Sequence, residues 1–346
     1  MEVLKGYDSD EEFEFNPTSG DWSSTESLLE KSKPLRDSYR IVCVVGRGSY
    51  SCVYKVENVN NGKIYCAKNY YPQVDTTNKS KRYLDVSDHC RRELTMLKSI
   101  QGEAILPLYE ICRGRRQGSV YLITELYDIT LDMVITSQSP LSLSEKKSIL
   151  FQLLSLLSSL SSSHILHCDL KPNNILYRSG SVVVCDWGSA THEGERGVLP
   201  TLGYRPPELL LSRIDSEPEI WSCATDIWSW GVVVIELLSE EYLWNSESEL
   251  TVTNQAIKLA GTTDLSETDR DVFNTWCSGV HLAFPSLPST LETVLKKRGL
   301  ESPVLLDLLK GCFQVIPSKR VTATDLLNHP WWKEEPIACV GLCVWN

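Results

Sequence analysis

No stretch of this 346-residue chain approaches the roughly 18 to 20 consecutive apolar residues that a spanning helix requires. The longest strongly apolar runs, residues 232–238 and 337–345, are far shorter, so no segment is expected to cross a membrane. Nor is a secretory leader expected, because the opening MEVLKGYDSDEEFEF is far too acidic to be one. The 12 cysteines include no Cys-x-x-Cys pair and the six histidines show no ligand spacing. That argues against a zinc site and for reduced thiols in an intracellular protein, cytoplasmic or nuclear. Positive charge is also scarce: 34 Lys and Arg stand against 45 Asp and Glu, a formal charge of −11. Neither nucleic acid nor a membrane surface is therefore expected as the main partner.

What is present points to a folded enzyme-sized body behind an acidic leader. Nine acidic side chains and only Lys5 of opposite sign fall within the first 30 residues, which leaves the rest nearly neutral. Residues 1–36 read as an acidic, disordered tail. In that tail Ser9-Asp10-Glu11-Glu12 is either an acceptor for an acid-directed kinase or plain solvated surface. With 42% hydrophobic residues the remainder can bury one large domain or two lobes. From Ile41 the pattern is β: an apolar run to Val45, an alternating stretch from Cys52 to Val56, an Asn61-Gly62 turn, and a third strand from Ile64 to Tyr70. A helix follows whose inward stripe is Cys90, Leu94 and Leu97. Glu93 lies beside that stripe, so its carboxylate faces inward and needs a cation. After the strand ending at Leu126 helices dominate, and Ser144-Glu145 is expected to open a long one that runs through the serine-rich stretch 155–163, whose leucines keep helical spacing. A strand-rich front and a helical back imply two lobes, over residues 37–126 and 127–333, with a short tail at 334–346. Lys79-Ser80-Lys81-Arg82 reads as solvated surface, and Cys343-Val344-Trp345-Asn346 is a poor prenylation signal.

Three groups of residues carry chemistry. Gly46-Arg47-Gly48-Ser49-Tyr50-Ser51-Cys52-Val53 is a glycine-rich loop between two strands, where missing side chains let backbone approach phosphates closely. Lys68 ends the third strand and Glu93 follows about 25 residues later, either as a phosphate-holding ammonium with its carboxylate partner or as two surface groups. The strongest signal is His164-Ile-Leu-His167-Cys168-Asp169-Leu170-Lys171-Pro172-Asn173-Asn174, followed by Cys185-Asp186-Trp187-Gly188 across a short hairpin. That hairpin would bring Asn174 and Asp186 together as oxygen ligands for Mg²⁺, with Asp169 left to accept a hydroxyl proton.

With these motifs the chain resembles the eukaryotic protein kinase family over roughly residues 39–332. Pro206-Pro207-Glu208, Asp226-Ile-Trp-Ser-Trp-Gly231 and Lys319-Arg320 with His329-Pro330-Trp331 are similar to later family segments. The resemblance implies an α+β, two-lobe protein kinase fold: an antiparallel β-sheet N-lobe with one key helix, and a mainly helical C-lobe. It implies ATP and Mg²⁺ as cofactors and a protein substrate. Asp169, Lys171, Asn174, Lys68 and Glu93 would be catalytic, and Asn174 and Asp186 would hold the metal. Val45, the loop 46–53 just quoted, Ala67, Lys68, Glu125, Tyr127 and Leu176 would line the nucleotide. Glu208 would pair with Arg320, Asp226 would brace the catalytic loop, and Thr201 would lie beside Lys171.

Lys171 gives the serine/threonine form. Thr201-Leu202-Gly203-Tyr204-Arg205 and Leu259-Ala260-Gly261-Thr262 resemble the cyclin-dependent-kinase branch of the CMGC group, and Arg205 implies proline after the phospho-acceptor. Ser49-Tyr50 match positions of inhibitory phosphorylation in that branch, or are simply a loop tip.

Departures carry information too. Cys168 replaces the arginine that clamps activation-loop phosphate, and Arg196 falls where the activating threonine would be, so activity independent of loop phosphorylation is expected. Trp187 stands for Phe and Ser51 for Gly. Ser87-Asp-His-Cys-Arg-Arg-Glu93 departs from the cyclin-binding helix, which leaves a cyclin-like subunit open. Cys185 reads as a small core residue or as an electrophile-reactive thiol. The alternative to an active kinase is a non-catalytic scaffold of the same fold.

Overall fold

The computed structural model describes residues 29–336 apart from 30, 49, 75–83, 101, 103, 128, 138–140 and 212–220. Ser9 to Glu12, Ser49, Lys79 to Arg82 and Cys343 therefore lie outside the described residues. The chain divides into two compact units, the first ending at Gln101 and including Leu106–Tyr127, the second comprising Gly102–Ile105 and the chain from residue 128.

In the first unit the elements are β1 (Lys33–Pro34), α1 (Leu35–Ser38), β2 (Tyr39–Arg47), β3 (Ser51–Asn58), β4 (Ile64–Tyr70), β5 (Gln73–Val74), β6 (Leu84–Asp85), α2 (Asp88–Ser99), β7 (Leu108–Arg113) and β8 (Val120–Thr124). Six strands form one sheet in the order β1-β7-β8-β4-β3-β2. Only the β1–β7 pair is parallel. Gly62 takes a left-handed φ of 69° in the β3–β4 turn, the conformation the Asn-Gly signal anticipates. Side chains alternate across the sheet. Tyr70, Val120 and Leu122 pack with Cys90 and Leu94 of α2 on one face, while Val56, Ala67, Cys112 and Ile123 pack on the other.

The sheet begins earlier than expected. Lys33 and Pro34 pair with Cys112 and Arg113, and Leu29 and Leu35 are buried, so the described residues of the stretch expected as tail pack on the sheet. Apolar side chains spaced around a short strand gave this segment a place on the sheet. In α2, capped by Ser87, the buried stripe is rotated from the expected one: Arg91 and Met96 are buried and Leu97 only half so. Arg91 is drawn inward because its guanidinium reaches Asp85 at 2.8 Å and the Val86 carbonyl at 3.0 Å.

The second unit holds β9 (Ile129–Thr130), α3 (Leu131–Thr136), α4 (Leu143–Ser162), β10 (Ile165–Leu166), β11 (Ile175–Arg178), β12 (Ser181–Val184), β13 (Thr191–His192), α5 (Pro207–Leu211), α6 (Ala224–Ser239), α7 (Glu249–Ala260), α8 (Glu267–Gly279), α9 (Leu291–Lys297), α10 (Pro303–Cys312) and α11 (Ala323–Leu327). α4 starts one residue before the expected Ser144, with Ser142 as its N-cap, because Ser142 and Glu145 cap each other reciprocally. The serine-rich stretch is helical to Ser162, its leucines buried. The unit extends slightly past 333: Lys147, almost wholly buried, donates to the carbonyls of Trp331 (3.0 Å) and Glu334 (2.5 Å). No helix among the described residues is long and apolar enough to cross a membrane.

α6 is buried along nearly its whole length and carries Glu236 inside. The carboxylate accepts from Tyr204 Oη (2.8 Å) and Leu243 N (2.9 Å). Burial pushes its pKa from 4.5 up to about 7, with Asp132 adding to the rise and Arg298 opposing it. Folding thus favours the protonated form. Between pH 4.5 and 7 the native chain keeps a proton that the unfolded chain has released, so stability falls as pH rises through that window. Against a Glu236→Gln variant, the wild-type chain should lose on the order of 3 kcal/mol between pH 4.5 and 7. Parallel pH profiles of the two thermal midpoints would refute this.

Candidate active site

In the first unit the glycine-rich loop closes the β2–β3 turn, with Gly48 N donating to Ser51 O at 2.9 Å. Neither Gly46 nor Gly48 has a left-handed φ. A Cβ on Gly46 would meet nothing within 4 Å, and one on Gly48 only Ser51 O at 3.8 Å. Packing therefore does not require glycine here, whereas a ligand approaching the backbone would. Val45 and Tyr50 are exposed, and the Tyr50 ring lies against His89 with centroids 3.8 Å apart. Arg47 pairs with Cys52, whose buried thiol donates to Gly46 O at 3.5 Å and ties the loop's first glycine down. Ser51 opens β3 opposite Tyr70.

Lys68 Nζ is 3.0 Å from Glu93 Oε2, with both side chains largely shielded from solvent. A third group completes the arrangement. Tyr70, two residues along β4 and on the same face, donates its hydroxyl to the same carboxylate oxygen, and Lys68 Nζ lies 4.8 Å from its ring centroid. Strand alternation corrects the expectation for Ala67. As Lys68's direct neighbour it projects to the opposite face, sealed among Leu35, Tyr39 and Val56. The residues that share Lys68's face are Val53, directly opposite it on β3, and Cys66 two positions earlier, which pairs with Thr124. Reading back two positions from Lys68 was the signal that identifies Cys66. Glu125 and Tyr127 follow β8 and are half-buried.

In the second unit the motif from Asp169 to Asn174 closes into one hydrogen-bonded network with Thr201. Asp169 Oδ2 accepts from Lys171 Nζ at 2.8 Å and Asn174 Nδ2 at 3.1 Å. Its Oδ1 accepts from Thr201 N at 3.0 Å and Thr201 Oγ1 at 2.6 Å, and Lys171 also donates to Thr201 Oγ1 at 2.6 Å. Asn174 is fixed further by the Asp169 carbonyl at 2.8 Å. The β11–β12 hairpin pairs Ile175 with Val184, and Cys185 N donates to Asn174 O at 2.9 Å, so Asp186 follows directly at the hairpin's open end. Asp186 is held in a left-handed conformation, φ 66°, a costly geometry for a non-glycine residue that its surroundings must enforce. Leu176 lies on β11 opposite Val183.

Around that network stands a rigid frame. Asp226 at the start of α6 accepts from His167 N (2.7 Å) and Cys168 N (3.0 Å); burial raises its pKa while those two donors pull it back. His167, fully buried, has its Nδ1 bonded by Asp169 N and its Nε2 on Cys185 O at 3.1 Å, and its ring meets Trp187 edge-on at 4.7 Å. Glu208 and Arg320 form a two-pronged ion pair at 2.6 and 2.5 Å, both side chains fully buried.

Cys168 packs in an apolar cluster with Leu166, Leu209 and Trp221. The loop around Arg196 is tied to that cluster. A Cβ on Gly197 would come within 2.8 Å of the Trp221 ring, Gly194 N donates to Trp221 O at 2.9 Å, and β13 pairs with β10. Glu193 adds bonds from Cys223 N and to the His164 ring.

The protein kinase domain family matches residues 39–332. Among curated proteins the chain is 30% identical over 312 residues to cyclin-dependent kinase G1 of Arabidopsis thaliana, covering 85% of this chain and 48% of that protein. It is 30% identical over 312 residues to cyclin-dependent kinase-like 2 of Rattus norvegicus, covering 87% and 58%. With cyclin-dependent kinase-like 1 of Caenorhabditis elegans it shares 30% over 300 residues, covering 85% and 80%. The chain spans about half the length of several curated relatives it matches. It belongs to the protein kinase family, in the cyclin-dependent-kinase-like branch of the CMGC group.

Proposed function

We propose that the chain is an active serine/threonine kinase that transfers the γ-phosphoryl of Mg-ATP to protein hydroxyls. The observation that carries this is the Asp169 network: a carboxylate whose two oxygens are aimed by Lys171, Asn174 and Thr201 is a positioned base. Asn174 and Asp186 supply the hard oxygen donors that suit Mg²⁺, and Asn174, held through its Nδ2, turns its amide oxygen away from Asp169. When bound, the ion would neutralise charge on the phosphates; the chain's own part is to hold them with the glycine loop and Lys68 and to orient the acceptor hydroxyl.

Two finer features belong to the same reading. Arg205 Nε and Nη2 both donate to Pro200 O, at 3.2 and 3.1 Å, while Nη1 is held by Glu249 at 2.7 Å. With that carbonyl occupied, a substrate residue bearing an N–H finds no acceptor there; proline has no N–H to leave unpaired, which favours Ser-Pro and Thr-Pro sites. Trp221, Gly197 and Glu193 hold the loop without a phosphate, which supports activity independent of loop phosphorylation. Radiolabelled ATP should label a Ser-Pro peptide roughly tenfold better than its Ser-Ala counterpart, as one unpaired N–H would dictate. Treating the enzyme with phosphatase beforehand should leave turnover within twofold. No transfer at all would favour the scaffold reading; loss of most turnover after phosphatase would overturn phosphate independence.

A further inference from the structure

Leu29 lies ten residues before the span that matches the kinase family, yet it is 97% buried by the kinase sheet, with only 3% exposure. Its partners are Cys90 and Leu94 of α2 together with Tyr70, Val120 and Leu122. The approach is built by the chain itself. Ser32 donates both its N–H (3.1 Å) and its hydroxyl (2.6 Å) to the Leu29 carbonyl, closing a turn. The next two residues are registered on β7, Lys33 opposite Cys112 and Pro34 opposite Arg113. Leu35 then enters the cluster on the opposite sheet face. The segment therefore straddles the sheet edge, one leucine on each side.

Leu29's side matters, because it is the face that carries Lys68. α2 brings Glu93 to Lys68 only while its apolar stripe rests on that face. Tyr70 touches both ends of the arrangement, packing with Leu29's cluster and donating its hydroxyl to Glu93. We infer that Leu29 is a positioning residue for the Lys68–Glu93 pair: seated behind α2, it holds the helix and Tyr70 so that the carboxylate meets the ammonium. The segment upstream of residue 39 thereby does from within the chain what a separate helix-docking subunit would otherwise do. This inference rests on the kinase reading above.

The test uses the full chain and three readouts: alkylation of Cys90 by iodoacetamide, followed by mass at that peptide; Mg-ATP affinity by equilibrium dialysis; and phosphoryl transfer. Cys90 is fully buried under Leu29, and burial pushes its thiol pKa up to about 12, so it should react slowly in the wild-type chain. Leu29→Asp should speed that alkylation at least tenfold, weaken Mg-ATP at least threefold and lower turnover at least tenfold. Leu29→Ala, the milder second variant, should shift each readout about threefold, and Leu29→Met should stay within twofold. Leu35→Ala removes a comparable side chain from the opposite face; it should lower the thermal midpoint without exposing Cys90 or weakening Mg-ATP. Cys90 reacting no faster in either Leu29 variant overturns the seating. Faster alkylation with Mg-ATP affinity and turnover unchanged, or changed no more than in Leu35→Ala, overturns the positioning role. A wild-type chain that binds Mg-ATP without transferring it defeats the kinase reading alone, and the Mg-ATP arm still decides the inference. A wild-type chain that binds no Mg-ATP defeats both.

Discussion

Asp169→Asn should lower phosphoryl-transfer turnover by roughly 10² to 10⁴-fold while Mg-ATP binds within threefold of the wild-type affinity. The substitution keeps size and shape, so what changes is chemistry. In the native network each carboxylate oxygen takes two donors, Thr201 N and Oγ1 on one, Lys171 Nζ and Asn174 Nδ2 on the other. An amide offers one oxygen, so its NH₂ must face donors on one side, and it cannot accept the substrate hydroxyl's proton. Lys68, Glu93 and the glycine loop are untouched, which is why nucleotide affinity should survive. Steady-state transfer to a Ser-Pro peptide, with equilibrium dialysis against Mg-ATP, reads both quantities on one preparation. Unchanged turnover would remove Asp169 as the base. A parallel loss of nucleotide affinity would instead show that the network supports the nucleotide.

How much of this was readable beforehand depended on whether a residue's role is set by local spacing or by faces and partners. The loop from Asp169 to Asn174 is local: the chain makes a single turn there, so residues five apart come within hydrogen-bond reach, and Asn174 Nδ2 bonds both the carbonyl and the carboxylate of Asp169. Glu93 was legible because an acid on the buried stripe of an amphipathic helix needs a cation, and Lys68 meets it. Sequence adjacency to Lys68 misplaces Ala67, because strand neighbours point to opposite faces and Ala67 packs with Leu35, Tyr39 and Val56. Tyr70 belongs to no motif, although the same alternation puts it on Lys68's face. The segment from Leu29 to Leu35 reads as tail because it adjoins an acidic stretch and holds few aliphatic residues; two leucines and a two-residue parallel pairing suffice to bind it, and no periodicity signals so short an element. Cys168 was legible as a missing phosphate clamp, but the apolar cluster that Trp221 forms with it was not. That contact joins residues more than 50 positions apart.

The largest effect on stability should come from Glu208→Ala. Glu208 lies in the first turn of α5, just after the Thr201-to-Arg205 segment, and Arg320 grips it with both Nη atoms while also donating to the carbonyls of Gln314 (2.9 Å) and Ala224 (3.1 Å). Both side chains are fully buried. Removing the carboxylate strands a buried guanidinium over the Trp228 ring, a loss of about 3 to 5 kcal/mol by analogy with other broken buried pairs. Replacing both partners by apolar side chains of similar bulk, Glu208→Leu with Arg320→Met, should recover most of that loss, since neither charge then has to be desolvated. Turnover should not recover with it. The two-pronged geometry fixes the orientation of α5, and through it the segment that aims Thr201 at Asp169 and Arg205 at the Pro200 carbonyl; methionine and leucine fill the volume without fixing an angle. The double variant is therefore expected to unfold near the wild-type midpoint yet transfer phosphate at least fivefold more slowly. A double variant that restores both would reduce the pair to a stabilising contact, and one that restores neither would mean that the apolar pair does not fit the site.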